Sequence, residues 1–362
     1  MVKSSTRVAA VILLPVTLLA LIFAPHLTVI NSEASLFGIV HSWRDWAALG
    51  PLAIFFFVAG LELKAEFTTG IFADRRRALI PLGAVTGGML APALFYILFA
   101  KISGAPLTAW GIPMATDLPL VLAALSFAPI PFIAKVRPFL LALAITDDLG
   151  SIIVLAVRFH QEFSLFYLGV LLIMLALYWI GIKRLHGSIK IFVMVAAALI
   201  IWIASLRSGI SPTFVAVILA LLTPTVSAKV REERWEPTVN FIIVPLFIFT
   251  ALAITIEFSL ESIFSPLSLS LIFARLIGKP VGIFLGALLA SAITRTAIGL
   301  SRSELFGAGI IASLGLSISL LFAQLSLKVE DQGLAIIGTL LTVPLAIAGI
   351  KAYYFFTRDT AA

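Results

Sequence analysis

Twelve apolar runs, most of them long enough for a membrane-crossing helix, follow one another along this chain with only short connections between them. A helix needs about 20 apolar residues to cross the hydrocarbon core. With that ruler the runs fall at 7–25, 46–61, 78–100, 107–126, 138–157, 163–182, 189–206, 209–224, 237–256, 266–290, 304–325 and 332–356. Backbone polar groups in lipid must be satisfied within the segment, so such runs read as helices. Composition agrees: 61% of residues are hydrophobic and 12% charged, too few polar groups to cover the outside of a soluble fold. The expected fold class is an all-α membrane protein of about twelve transmembrane helices. Lys3 and Arg7 precede the first run as in a secretory leader, but no small-residue cleavage site follows, so it reads as a retained span.

The connections alternate in charge. Of the 25 Lys and Arg residues, 18 fall in connections or at run ends on the side shared with the N-terminus. Five (Arg44, Lys101, Arg158, Arg207, Lys328) fall on the other side, and Arg275 and Lys279 lie within the tenth run. Positive charge collects on the cytoplasmic side, which places both termini in the cytoplasm. The net charge of +7 therefore reads as membrane orientation, and no nucleic-acid partner is expected. The absence of cysteine excludes disulfides and thiolate metal sites. His26, His41, His160 and His186 are scattered near run ends, outside metal-ligand spacing of one another. No cofactor is expected. No stretch is polar and long enough for a soluble domain, so 1–362 reads as one membrane unit.

Four ionisable residues sit where charges are costly: Asp117, Asp147, Asp148 and Lys279 lie near the middles of the fourth, fifth and tenth runs. Each costs at least ~2.5–3.5 kcal/mol to insert at that depth. A static ion-pair network is the plain alternative, but buried pairs stabilise poorly compared with apolar packing. Adjacent helical residues point about 100° apart, so Asp147 and Asp148 face different surroundings. One is expected to line a water-filled cavity while the other meets a partner. Two carboxylates this close in a low dielectric titrate as a coupled pair. Such a site holds either a proton or a hard cation such as sodium, and competition for one site suffices for exchange. Lys279 is the natural counter-charge and a candidate proton carrier.

Two runs are interrupted. In GIPMATDLPLVLAAL (111–125), Pro113 and Pro119 bracket Ala115-Thr116-Asp117, and proline breaks the helical ladder. The backbone is expected to unwind there, with Asp117 at the start of the second half-helix. In GAGIIASLGLSISLLF (307–322), glycines alternate with Ser313, Ser317 and Ser319. Small residues serve close helix packing, but the fourth and eleventh runs stand seven apart and cross in opposite directions. Paired interruptions of this kind mark a midplane site in an inverted repeat. The expected core is 78–157 and 266–356 (spans 3–5 and 10–12), with 7–61 and 163–256 as interface helices.

These motifs resemble the NhaA-type bacterial sodium/proton antiporters: FFFVAGLELKAEF (55–67), PLGAVTGGMLAPAL (81–94), ATDLPLVL (115–122), ALAITDDLGSIIVLA (142–156), VPLFIF (244–249) and LIGKPVGI (276–283), in collinear order. The resemblance implies a multi-pass protein of the bacterial inner membrane that exchanges cytoplasmic Na⁺, or Li⁺, for external H⁺. The exchange would be electrogenic, by alternating access, and pH-regulated. It implies Asp148 as the principal ion-binding carboxylate and Asp147 as the second acid, paired with Lys279; the two aspartates would hold the transported Na⁺. Thr116 and Asp117 match the unwound fourth helix, and Ser313, Gly315 and Ser317 the unwound eleventh. Glu62, Lys64, Glu66 and Glu232 match positions linked to pH sensing. Lipid and a homodimeric partner are also implied. The chain departs from the family at Ser211, where a histidine is usual. It departs again in the connection 26–45, shorter than the one whose β-hairpin supports dimerisation.

Other readings fit less well. An intramembrane aspartyl protease needs acids on two helices with a Gly-x-Gly-Asp motif, which the sequence lacks, so no enzymatic activity is expected. A sodium-coupled organic anion symporter of the same build would need a midplane arginine clamp, for which Arg275 is the sole candidate. A non-transporting sensor would have no need of the three acids.

Overall fold

The computed structural model describes residues 15–69, 75–125, 130–158, 164–224 and 234–357. Along the chain, strands β1 (Glu33–Leu36) and β2 (Ile39–Ser42) lead into α1 (Trp43–Leu49), α2 (Pro51–Thr69) and α3 (Arg75–Ser103). A 3₁₀ segment, Leu107–Met114, precedes α4 (Leu118–Leu125), α5 (Ile130–Arg158), α6 (Leu165–Arg184), α7 (Gly187–Ser208) and α8 (Pro212–Leu222). Then come α9 (Val244–Ala251), α10 (Leu260–Ile263), α11 (Pro266–Phe273), α12 (Lys279–Thr294), α13 (Arg302–Ala312), α14 (Ser317–Ser326) and α15 (Val329–Thr357).

Six helical stretches among the described residues are long and apolar enough to cross a membrane: Trp43–Ala65, Ala78–Ser103, Phe132–Leu155, Leu165–Arg184, Pro266–Thr294 and Val329–Tyr353. The pair α13 and α14, bent by 56°, makes a seventh if counted as one span. Of the other expected runs, the seventh forms one continuous helix, α7 of 22 residues, and the eighth a shorter one, α8 of 11 residues. The first begins in residues 1–14, outside the described residues. The fourth divides around 115–117, while the ninth stays helical through a π-helical turn at Val239–Ile243 that leads directly into α9.

The chain divides into two compact units. The first comprises Met1–His26, Ile71–Ser151 and Ala251–Ala362. Its most extensive packing is between α3 and α12. Gly83 and Gly87 on α3 face Gly282 and Gly286 on α12, and a Cβ at Gly87 or Gly282 would run into the opposite glycine's carbonyl oxygen. Two small-x-x-x-small stripes thus bring the backbones into direct contact, where dispersion acts at short range. The outer faces are the opposite: Leu94, Leu98 and Ile102 on α3, and Leu285, Leu289 and Ile293 on α12, are exposed at four-residue spacing. Apolar stripes of this length suit acyl chains.

The second unit comprises Leu27–Gly70 and Ile152–Thr250. Among its described residues it departs from the all-helical expectation in one place. β1 and β2 pair antiparallel with Leu36 opposite Ile39, leaving a two-residue turn whose residues, Phe37 and Gly38, have φ of 55° and 71°. Positive φ at both positions is the turn that matches strand twist. Arg207 Nη2 donates to Phe37 O at 2.6 Å, and Trp46 Nε1 to Ala34 O at 3.0 Å, so the hairpin is tied to the helices.

Candidate functional site

Within the first unit the two interruptions meet. The helical path stops at Met114 and resumes at Leu118; a second stops at Ala312 and resumes at Ser317. Broken helices leave carbonyls and N–H groups without ladder partners, and here each break satisfies the other. Asp117 N donates to Leu314 O at 2.9 Å, and Thr116 Oγ1 to Ala312 O at 2.9 Å. The Asp117 carboxylate accepts from Leu316 N at 2.5 Å, from Ser317 N at 2.7 Å and from Ser317 Oγ. It therefore sits on the N-terminus of α14, where the backbone dipoles favour a negative charge. Asp117 O accepts from Val121 N, so the residue also stands at the start of α4. Gly315 makes the crossing feasible, because a Cβ there would strike Ala115 O. Gly315→Ala is expected to lower the thermal midpoint in detergent by the cost of overpacking, about 1–3 kcal/mol.

Two cations lie beneath the crossing. Residues Ala274–Gly278 form a π-helical turn ahead of Lys279 and Pro280. Pro280 brings no N–H to the ladder and crowds the carbonyl four residues back, strain that a widened turn relieves; such turns recur at functional sites. Lys279 is fully buried. Its Nζ donates to Asp147 Oδ2 at 2.9 Å and to Met114 O, the last carbonyl of the 3₁₀ segment. Arg275, one turn earlier and 1% exposed, donates to Gly315 O at 2.6 Å, to Ile112 O at 2.7 Å and to Ser319 Oγ. Among the described residues it forms no salt bridge. The opposite charges that act on it are those of Asp117 and Asp147. Arg275 thus pins both breaks through their carbonyls, and the anion clamp considered from the sequence is replaced by a backbone clamp. Its only sequence signal is a charge on the same helical face as Lys279.

Asp147 and Asp148 stand on α5. Asp147 is buried, with Oδ1 carrying no hydrogen bond, while Asp148 is half-buried. Asp147, Asp117, Thr116, Lys279, Ser317 and Gly315 are therefore linked by direct contacts of side chains or of the crossing backbones. Ser313 Oγ instead donates to Ile310 O, within its own turn. Three carboxylates (Asp117, Asp147, Asp148) and two cations (Arg275, Lys279) share this unit's interior, so fully ionised they leave one negative charge.

Of the residues that the family resemblance links to pH sensing, the two whose side chains are described, Glu62 and Lys64, do not belong to this cluster. In the second unit, Lys64 Nζ donates to Leu221 O and to Thr223 O at the C-terminal end of α8, the end that favours a cation. Glu62 is half-buried on the same helix. The Glu66 side chain and Glu232 lie outside the described residues. Ser211 precedes α8, its hydroxyl 2.6 Å from Thr213 Oγ1.

A multi-pass helical protein built around buried ionisable groups belongs to the class of membrane proteins in which such groups mark ion and proton pathways. The sequence narrows that class. Residues 1–355 match the family described as Na⁺/H⁺ antiporter 1, and the chain belongs to that family. It is similar to the Na⁺/H⁺ antiporter NhaA of Frankia casuarinae, at 34% identity covering 78% of this chain and 67% of that protein. It is also similar to NhaA of Serratia proteamaculans (34%, 79% and 76%) and to NhaA 1 of Saccharopolyspora erythraea (38%, 78% and 71%).

Proposed function

We propose that the chain exchanges cytoplasmic Na⁺, or Li⁺, for external H⁺, with Asp148 and Asp147 as the shared site. The observation that carries this is the divided environment of Asp147. One carboxylate oxygen is held by Lys279, and the other is buried without a hydrogen bond, next in sequence to a second acid. A buried acceptor left open costs about 1–3 kcal/mol, and either a proton or a hard cation removes that cost. Because only one of them fits at a time, loading one expels the other.

In this reading the protein has about twelve spans with both termini cytoplasmic, in the inner membrane. The core at 78–157 and 266–356 forms an inverted repeat whose discontinuous fourth and eleventh spans carry the site. It moves against 7–61 and 163–256 to expose the site on alternate sides. More protons enter than sodium ions leave, so the cycle is electrogenic. Glu62, Lys64, Glu66 and Glu232 set its pH threshold, and the protein works as a homodimer. Family membership and the names of the bacterial relatives support the ion pair exchanged.

The test is proton flux in inverted vesicles. With an inside-acid gradient established, NaCl and LiCl are expected to discharge it and KCl to leave it intact. A gradient indifferent to all three salts, or one discharged by organic anions, would overturn the reading.

A further inference from the structure

The geometry points to Ser151 as an additional oxygen ligand for the transported cation, one turn below the two aspartates. This inference rests on the exchange site proposed above. Ser151 lies on α5, is fully buried, and its Oγ makes no hydrogen bond. Among the described residues the only other buried hydroxyl without a hydrogen bond is that of Ser326. Other buried or half-buried helical hydroxyls, one of them on α5 itself, donate to the carbonyl four residues back: Thr146 to Ala142 O at 2.8 Å, Thr223 to Leu219 O at 3.0 Å, Ser270 to Pro266 O at 2.6 Å. A helical serine has that carbonyl within reach by default, and Ser151 does not take it.

Its position explains what the hydroxyl is for. At about 100° per residue, position 151 falls roughly 40° from Asp147 and 60° from Asp148 around the helix axis. It is i+4 to the first and i+3 to the second, the spacings at which helical side chains meet. The hydroxyl therefore stands beneath and between the two carboxylates. Asp147 Oδ1 and Ser151 Oγ are two buried oxygens without hydrogen bonds, one turn apart on neighbouring stripes of one helix face. Hard cations take oxygen ligands of mixed charge, and two orphaned oxygens beside a second carboxylate form such a set. A hydroxyl also suits both loads. It offers a lone pair to the ion, and once a proton has replaced the ion it accepts from the carboxylic O–H or donates to the remaining oxygen.

The experiment is Na⁺-dependent proton flux and Na⁺-induced thermal stabilisation of the full-length protein, compared for wild type, Ser151→Ala and Ser151→Cys, with Asp148→Asn in parallel. Alanine removes the oxygen. Cysteine keeps the size but offers soft sulfur, which hard cations disfavour. Both Ser151 variants are expected to raise the apparent KM for Na⁺ about tenfold, the loss of one hydrogen-bond-strength contact to a charged group, with the rate recovering at saturating Na⁺. The midpoint shift given by a fixed NaCl concentration should shrink in parallel. An unchanged KM and thermal shift in both variants, or a loss in Ser151→Ala that Ser151→Cys restores, overturns the ligand role; the second result would assign Ser151 to packing. Asp148→Asn separates the two levels. If it retains exchange, the site reading fails; if it abolishes exchange while the Ser151 variants behave as wild type, only this inference fails.

Discussion

Asp148→Asn is expected to reduce sodium-dependent proton movement in inverted vesicles to the background of vesicles lacking the protein. The substitution keeps the shape of a half-buried side chain on α5, so the fold should persist and the midpoint without sodium should stay near that of wild type. What it removes is the ability to alternate. An amide neither takes up a proton under these conditions nor presents a full negative charge to a cation. Ligand binding to the native state stabilises by RT ln(1 + [L]/Kd), so the rise in midpoint with NaCl should vanish with the flux. Retained exchange in this variant would show that the ion binds elsewhere.

Breaking the Asp147–Lys279 pair is expected to give the largest loss of stability. Both side chains are at most 1% exposed and their charged atoms lie 2.9 Å apart. Truncating one partner of such a pair strands a buried charge and costs about 3–5 kcal/mol. Asp147→Leu and Lys279→Met should each lower the thermal midpoint sharply. The double variant should recover most of the loss, because an apolar pair of similar volume carries no desolvation penalty. The singles therefore should not add, as expected for groups in contact. Exchange should be absent in all three. A double variant as unstable as the sum of its singles would mean that the two groups are held independently, Lys279 by Met114 O and Asp147 by others.

The buried charges of the candidate site were legible in the sequence because each violates its surroundings. An acid inside ALAITDDLGSIIVLA or a lysine inside LIGKPVGI stands out against apolar neighbours, and the insertion cost gives the anomaly a magnitude. The breaks were legible through Pro113, Pro119 and Gly315. What they hold was not. Arg275 binds two backbone carbonyls from distant segments, and carbonyls carry no residue-type signal; they become available only because two helices stop at the same place. The reach of Asp117 to Leu316 and Ser317 is hidden for the same reason, since it depends on how closely Gly315 lets the segments approach. Ser151 looked like any small helical residue until its hydroxyl proved to lack the usual carbonyl. The hairpin escaped because Phe37 occupies a turn position where asparagine or aspartate usually announces it, leaving Gly38 as half a signal.

The glycine stripes joining α3 to α12 limit how this unit can move. Sliding between helices is normally lubricated by a layer of side chains that swap rotamers, and here no such layer exists over the two turns where carbonyl meets glycine. The two helices must shift as a single rod. Whatever displaces Lys279 and Arg275, at the head of α12 and in the turn before it, must carry the whole length of α3 along, so a small tilt at one end becomes a displacement at the other.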